Sequence, residues 1–196
     1  MKRILLVTQY FYPEVFKGND IAFELARRGY KVDVLTGIPN YPKGKYIYGY
    51  GIFRKRIEKI NGVRVYRTFQ FPRGNSNIIM MVLNYLSFVI CACFNVLFFF
   101  CWKKYDLIFI QQLSPIFSAI PGVVLKKIKN TPVYMWVLDI WPDALRSAAN
   151  IHNTILISYV DKLVKIIYNN CNKILISSRN FKPLIQPKGN YQDKII

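Results

Sequence analysis

The chain has 196 residues, 53% of them hydrophobic and 19% charged, which is enough to bury one good core and too short for two ordinary domains. Its 28 Lys and Arg against 10 Asp and Glu give a formal charge of +18, a balance that suits nucleic acid, anionic lipid or a phosphorylated substrate. The excess is spread along the chain, with 15 basic and 5 acidic residues over 1 to 73 and 13 and 5 over 74 to 196; with no finger, RNP-type or helix-turn-helix pattern beside it, nucleic acid is not expected as a partner.

Residues 3 to 8 form an apolar run that stops at Thr8 and Gln9 without a small-residue cleavage pattern, so a buried first strand explains it better than a signal peptide. A loop at Tyr10 to Pro13 leads to helical periodicity over 19 to 28, carried by Ile21, Phe23, Leu25 and Ala26 and ended by Gly29. Lys31 to Thr36 is the second strand, and a parallel strand reached through a helix implies a doubly wound sheet. Residues 37 to 61 hold Gly37, Pro39, Pro42, Gly44, Gly49 and Gly51 and read as a long exposed loop. Strand-like runs follow at Val63 to Thr68, Asp106 to Ile110, Val133 to Leu138 and Lys173 to Ile176, with helices near 115 to 129 and 153 to 170. The predicted fold class is α/β: one Rossmann-like, doubly wound, mainly parallel domain over 1–196.

From Asn75 to Trp102 no residue is charged, and Ile78 to Cys101 is interrupted only by Asn84, Ser87 and Asn95. As a helix this stretch would span about 36 Å, enough for a bilayer core. It reads either as a crossover helix buried on the sheet, with the three polar residues marking a less apolar face, or as a membrane helix. The strands before and after it belong to one sheet, so a true crossing would split the domain across the bilayer. Arg73 at one end and Lys103 with Lys104 at the other give no sidedness. The expectation is therefore a helix lying in the membrane interface, attached through side chains such as Phe98, Phe99 and Phe100.

Three of the four cysteines, Cys91, Cys93 and Cys101, lie inside this apolar run and read as small hydrophobes; Cys171 stands apart. The single histidine, His152, is distant in sequence, and neither a zinc spacing nor a nucleophile constellation can be built. No metal is expected, and His152 receives no role.

Neither G-x-G-x-x-G nor a Walker A loop occurs. Ligands of such sheets bind beyond the carboxyl ends of the strands, which places the first βα connection, Gln9 to Asp20, at the site by position. Gly18 permits close backbone approach there, and Asn19 or Asp20 suits a helix cap.

That loop, with Tyr12-Pro13-Glu14, is followed by Glu24-Leu25-Ala26-Arg27-Arg28-Gly29-Tyr30, then Pro39-Asn40-Tyr41-Pro42-Lys43-Gly44, then Trp136-Val137-Leu138-Asp139-Ile140-Trp141-Pro142-Asp143, and finally Ile176-Ser177-Ser178-Arg179-Asn180-Phe181. In this order the blocks resemble the family 4 glycosyltransferases of bacterial surface-polysaccharide synthesis, among them the fucosamine and N-acetylhexosamine transferases. The resemblance covers essentially the whole chain but only half of such an enzyme. It implies the N-terminal, acceptor-side half of a GT-B architecture, in which two Rossmann-like domains face across a cleft and the C-terminal one holds the sugar nucleotide. The donor-side signature, two glutamates eight positions apart, has no counterpart, since the only glutamates are Glu14, Glu24 and Glu58.

The resemblance further implies retaining transfer of a sugar from a nucleotide-diphosphate donor to a polyprenyl-diphosphate-linked acceptor, without metal or other cofactor, at the cytoplasmic face of the inner membrane. Membrane lipid and a donor-binding half, in the same or a separate chain, are the implied partners, and this chain alone is not expected to turn over. The competing readings are a non-catalytic membrane-anchoring subunit of a split enzyme and an inactive truncated remnant. Asp139, at a strand's carboxyl end, is the candidate to polarise the acceptor hydroxyl, or else it fixes its loop. Trp141 offers a sugar-stacking face, or packs; Asp143 after Pro142 reads as a helix start. Lys17, Gly18, Asn19, Asn40, Tyr41 and Lys43 are candidate acceptor contacts, the competing view being that Pro39 and Pro42 merely shape an exposed loop. Arg146 and Arg179 are candidates for the lipid diphosphate, or solvated surface charges.

Overall fold

The computed structural model describes residues 1–75, 77–148 and 153–196, with residues 146–148 described by backbone alone. Seven strands form a single sheet: β1 (Arg3–Val7), β2 (Lys31–Gly37), β3 (Ile57–Ile60), β4 (Val63–Thr68), β5 (Leu107–Gln112), β6 (Val133–Val137) and β7 (Lys173–Ile176). Their order is β3-β4-β2-β1-β5-β6-β7, parallel throughout except for the antiparallel β3–β4 pair. The helices are α1 (Lys17–Arg27), α2 (Ile78–Asn95), α3 (Ile120–Lys129), α4 (Asp143–Ala148), α5 (Thr154–Asn170) and the single turn α6 (Lys182–Ile185). The expected Rossmann-like, mainly parallel α/β fold is present.

Alternation along the central strands feeds two cores. In β1, Leu5 and Val7 join one cluster and Leu6 joins the other, because successive strand side chains point to opposite faces. The smaller core closes under α1 through Ala22 and Phe23; the larger closes under α2, α3 and α5 through Phe88, Val123 and Val164. The chain thus leaves β1 over one face and returns to β5 over the other. That makes the β1–β5 boundary the switch point of the sheet, with a crevice at its carboxyl edge.

The stretch read as one loop, 37 to 61, contains β3. Ile57–Ile60 turns back onto β4 through Asn61 (φ 48°) and Gly62 (φ 83°), the pair of left-handed residues that a two-residue hairpin requires.

The apolar run is α2, capped by the Asn77 side chain accepting from the Met80 N–H at 2.8 Å, and continued by a π-helical turn, Val96–Phe100. Asn84, Phe88, Ala92, Val96 and Phe100 recur every fourth residue and are buried on the sheet, so the run is the crossover helix from β4 to β5. The opposite stripe, including Ile79, Val82, Leu86, Ile90, Phe94 and Leu97, is exposed. Phe98 and Phe99, at 61% and 64% exposure, belong to that stripe; Phe100, at 1%, is core, which corrects its expected place in the attachment.

The polar residues of the run do not mark an outward face. Ser87 accepts from the Phe71 N–H at 2.9 Å, and the Asn95 amide donates to Thr68 Oγ1 at 2.9 Å, while Asn84 is wholly buried. The inward face is thus mainly apolar with the helix's few polar groups bonded into the protein, and the solvent face is apolar as well, where an ordinary surface helix would be polar. Ile78–Phe100 is long and apolar enough to cross a bilayer, yet both of its ends join one sheet.

Candidate functional site

At the switch point, Gly18 in the first turn of α1 lies against the Gln111 side chain. A Cβ at Gly18 would stand 2.0 Å from Gln111 Oε1, the atom that also accepts from Thr8 Oγ1 at 3.2 Å. The close approach expected of Gly18 is thus made to a neighbouring strand. Helix α1 begins two residues earlier than its periodicity suggests. Its N-cap is Phe16, with no side-chain bond, so neither Asn19 nor Asp20 caps it. Asn19 staples the loop instead: its Oδ1 accepts from the Tyr12 N–H at 3.1 Å and its amide donates to the Glu14 carbonyl at 2.7 Å. Lys17 is exposed at the same helix start.

Beyond β1, β2 and β4 lies a buried polar lattice. Glu14 Oε1 accepts from the N–H groups of Asn40 and Tyr41 at 2.8 and 2.7 Å, and its Oε2 accepts from that of Phe11 at 3.2 Å. Burial pushes the Glu14 carboxyl up to about 7, against those three donors and the Arg67 cation, which pull it down. Asn84 Oδ1 accepts from Gln9 Nε2 and from the Tyr10 hydroxyl, both at 2.9 Å, and its amide donates to the Phe71 carbonyl. Gln70 Nε2 and Asn40 Nδ2 both donate to the Ile38 carbonyl, at 2.9 and 3.0 Å. Asn40 Oδ1 accepts from the Arg73 N–H at 3.1 Å, which ties the segment after β4 to the Pro39–Gly44 segment. Gly44 (φ +69°) completes the tie: a Cβ there would stand 1.8 Å from the Gly74 carbonyl oxygen.

These bonds decide what the 39 to 44 segment presents. Asn40 is buried and spends its amide on the loop, whereas Tyr41 and Lys43 face solvent. The Tyr41 ring packs 5.5 Å from Phe16 and 5.8 Å from Tyr10, and the Arg73 guanidinium lies 5.6 Å from the Tyr41 ring centre and 5.9 Å from that of Tyr85 on α2.

A second, smaller cluster lies beyond β5 and β6. Ser114 Oγ donates to Asp139 Oδ2 and accepts from the Trp141 indole N–H at 3.2 Å. Trp141 is only 7% exposed, with its ring 5.8 Å from Phe117, so its faces are largely covered by packing. Asp139 remains half-buried at the edge, beside the exposed Ser114. Asp143 opens α4 as expected of a helix-start residue. Arg179 is exposed beyond β7, while the Arg146 side chain and His152 lie outside the described residues.

The structure thus ties Asn19, Asn40 and Tyr41 together through Glu14, with Gly18 and Lys43 their neighbours in the chain, and sets Asp139 and Trp141 in another cluster, two strands from β1. Sequence reasoning overlooked Glu14, Gln9, Gln70 and Arg73 as site-building residues. For Asn84 a signal existed, because an amide in an otherwise apolar helix demands a buried partner. Two cavities of about 340 and 350 Å³ open elsewhere, at the amino edge around Tyr30, where site-building loops do not gather. Among the described residues no group of three His, Cys, Asp or Glu is placed to hold a metal.

No protein-family model and no curated protein matches the chain. Among solved structures it is similar to a UGT transferase from Siraitia grosvenorii in complex with UDP, at 12% identity and a TM-score of 0.54, over 91% of this chain and 45% of that one. It is also similar to CalG4, the calicheamicin glycosyltransferase, at 13% identity and a TM-score of 0.50, over 89% of this chain and 47% of that one. The chain spans about half the length of the glycosyltransferases it matches. The likeness establishes the fold alone: a Rossmann-like α/β domain like that found in about half of each of these two GT-B structures.

Proposed function

We propose that this chain is the acceptor-side half of a sugar-nucleotide glycosyltransferase, and that it works on an acceptor carried by a polyprenyl diphosphate at a membrane surface. The observation that carries the reading is the apolar outward face of α2. A helix that turns Asn84, Ser87 and Asn95 inward and Ile79, Val82, Leu86, Ile90, Phe94 and Phe98 outward has an apolar medium as its natural neighbour. That stripe begins beside the carboxyl-edge loops, where this class of sheet gathers its ligands. Trp102, exposed where the run ends, and the formal charge of +18 both suit the headgroup zone of an anionic membrane.

Fold likeness and the motif resemblance described above support the transferase class. The UDP held by the Siraitia enzyme is of the donor type this reading requires. In the proposed division of labour the donor's nucleotide sits on a second Rossmann-like half, and the present half holds the acceptor. Asp139 polarises the acceptor hydroxyl as its oxygen attacks the anomeric carbon and the nucleotide diphosphate departs. Tyr41 and Lys43 supply the exposed ring and cation at the acceptor side, on the platform built by Glu14 and Asn40. The reaction is retaining and uses no metal in this reading, and its place is the cytoplasmic face of the inner membrane.

The test is vesicle flotation with mixed phosphatidylcholine and phosphatidylglycerol vesicles. Replacing Phe94, Phe98 and Phe99 by Ser removes three exposed rings without touching the core, so vesicle-bound protein should fall by about tenfold or more with the thermal midpoint unchanged. Undiminished flotation of this variant sinks the membrane assignment.

A further inference from the structure

Arg73 stands out among the buried cations. A guanidinium carries five N–H donors and normally finds carboxylates or carbonyls for them. Arg67 leaves its Nη1 unpaired but has the Glu58 carboxylate and the Tyr12 carbonyl for its other donors. Arg73 is half-buried between the Tyr41 ring and the α2 residues Met81 and Tyr85. Its Nε is enclosed without a hydrogen-bond partner, its Nη2 reaches the Met81 sulfur, a weak acceptor, at 3.2 Å, and its one oxygen partner is the neutral Tyr10 hydroxyl. The Tyr10 hydroxyl lies beside it, and burial holds that phenol neutral by raising its pKa. Among the described residues no carboxylate pairs with Arg73, and Glu14, in the same lattice, spends its oxygens on backbone donors. A cation held between two rings, with donors left over, is built to receive an anion.

Its position says which anion. Met81 and Tyr85 are followed on α2 by Val82 and Leu86, which belong to the exposed apolar stripe. Lys43 stands on the turn joined to residue 74 by the Gly74 N–H to Gly44 carbonyl bond of 2.8 Å. An anion seated on Arg73 therefore has the apolar stripe on one side and the exposed Tyr41 and Lys43 on the other. That juxtaposition matches a molecule with a diphosphate between a hydrocarbon chain and a sugar. Arg179 cannot share this place: β4 and β7 are five strand spacings apart, about 24 Å at roughly 4.8 Å per strand.

We infer that Arg73, wedged between Tyr41 and Tyr85, is the diphosphate-binding residue for an isoprenoid-diphosphate ligand whose hydrocarbon chain lies along the outward stripe of α2 from Val82 toward Phe94. The inference rests on the acceptor reading above and gives the diphosphate role to Arg73 in place of Arg179.

The experiment is a calorimetric titration of the intact chain with farnesyl diphosphate and, separately, with inorganic pyrophosphate. The wild type should bind farnesyl diphosphate at least tenfold more tightly than pyrophosphate. Arg73→Gln should lose tenfold or more of that affinity, Arg73→Lys should fall between the two, and Arg179→Gln should match the wild type. If Arg73→Gln melts early, Arg73→Lys carries the test, since it keeps the charge and loses the planar fork. Full affinity in both Arg73 variants overturns the inference, as does loss of affinity in Arg179→Gln, or equal affinity for pyrophosphate, which would mark a free-anion site. Flotation on the mixed phosphatidylcholine and phosphatidylglycerol vesicles separates this inference from its premise. Failure of the wild type to float would count against the membrane reading, whereas the soluble titration still judges Arg73.

Discussion

At the β4–β2–β1 end of the carboxyl edge, Gln9, Asn40, Gln70 and Asn84 are wholly buried and bonded into one lattice; at the β5–β6 end, Asp139 and Ser114 are bonded to each other and remain partly open to water. A buried amide is tolerated only with its partners in place, and a network of them holds its loops to a single geometry. A carboxylate at a half-open edge costs little to place and stays within reach of a substrate. On the proposed function, the first end holds shape, with Tyr41, Lys43 and Arg73 displayed upon it, and the second end carries the chemistry.

Four substitutions can break or sharpen that contrast. Asn84→Leu should be the most damaging, because it strands the Tyr10 hydroxyl and the Phe71 carbonyl together and leaves Gln9 Nε2 only its longer bond to Gln70 Oε1 at 3.3 Å. A loss of about 4 kcal/mol is expected from unsatisfied groups at 1–3 kcal/mol each, read as a midpoint roughly 8–16 °C lower. A change within 2 °C would show that the lattice is not under tension from burial.

Glu14 comes next, with a pH signature. Its folded carboxyl titrates at about 7 against 4.5 in an open chain. Below pH 4.5 both states hold the proton and the fold suffers no penalty from this group. Between 4.5 and 7 the unfolded chain ionises first, so stability falls as pH rises, by on the order of 3 kcal/mol in all, and the effect is complete above 7. Glu14→Gln cannot ionise, so the difference in melting temperature between wild type and variant should shift in the variant's favour from pH 4.5 to 7.5. A pH-independent difference would place the folded carboxyl back in its ordinary range.

Gly18→Ala should cost about 2 kcal/mol by forcing the enclosed Gln111 amide out of its bond with Thr8. A neutral result in a melting experiment would show that the switch-point crevice is softer than its packing implies. Asp139→Asn should be the mildest for the fold, within about 0.5 kcal/mol, since an amide oxygen still accepts from Ser114. In the enzyme completed with its donor half, however, it should lower turnover by roughly a hundredfold. Full turnover would remove Asp139 from the chemistry, and early unfolding would return it to loop-fixing.

The contrast between the two ends also marks where the sequence was readable. The strands and the helix periods of α3 and α5 were legible because their apolar spacing follows directly from burial on one face. The hairpin at β3 was hidden by the glycines and prolines before it, although Asn61-Gly62 between Ile57–Ile60 and Val63–Thr68 is a turn signal of the strongest kind. Helix α2 was visible as an apolar run, but apolar composition alone cannot say which face is inward. Only the partners of Asn84, Ser87 and Asn95 reveal that polarity points at the protein. Arg73 was legible merely as a flanking charge, because its interest lies in Tyr41, Met81 and Tyr85, residues that folding alone brings around it. For Trp141 the sequence left a stacking face and packing both open, and only the fold brings Phe117 and Ser114 against it.

The most direct test of the acceptor-side reading is a pair of binding titrations on this chain, one with a polyprenyl-diphosphate-linked monosaccharide and one with UDP-sugars. The account predicts saturable binding of the lipid-linked sugar, and sugar-nucleotide binding at least a hundredfold weaker. Tight binding of a sugar nucleotide, with none of the lipid-linked sugar, would contradict it.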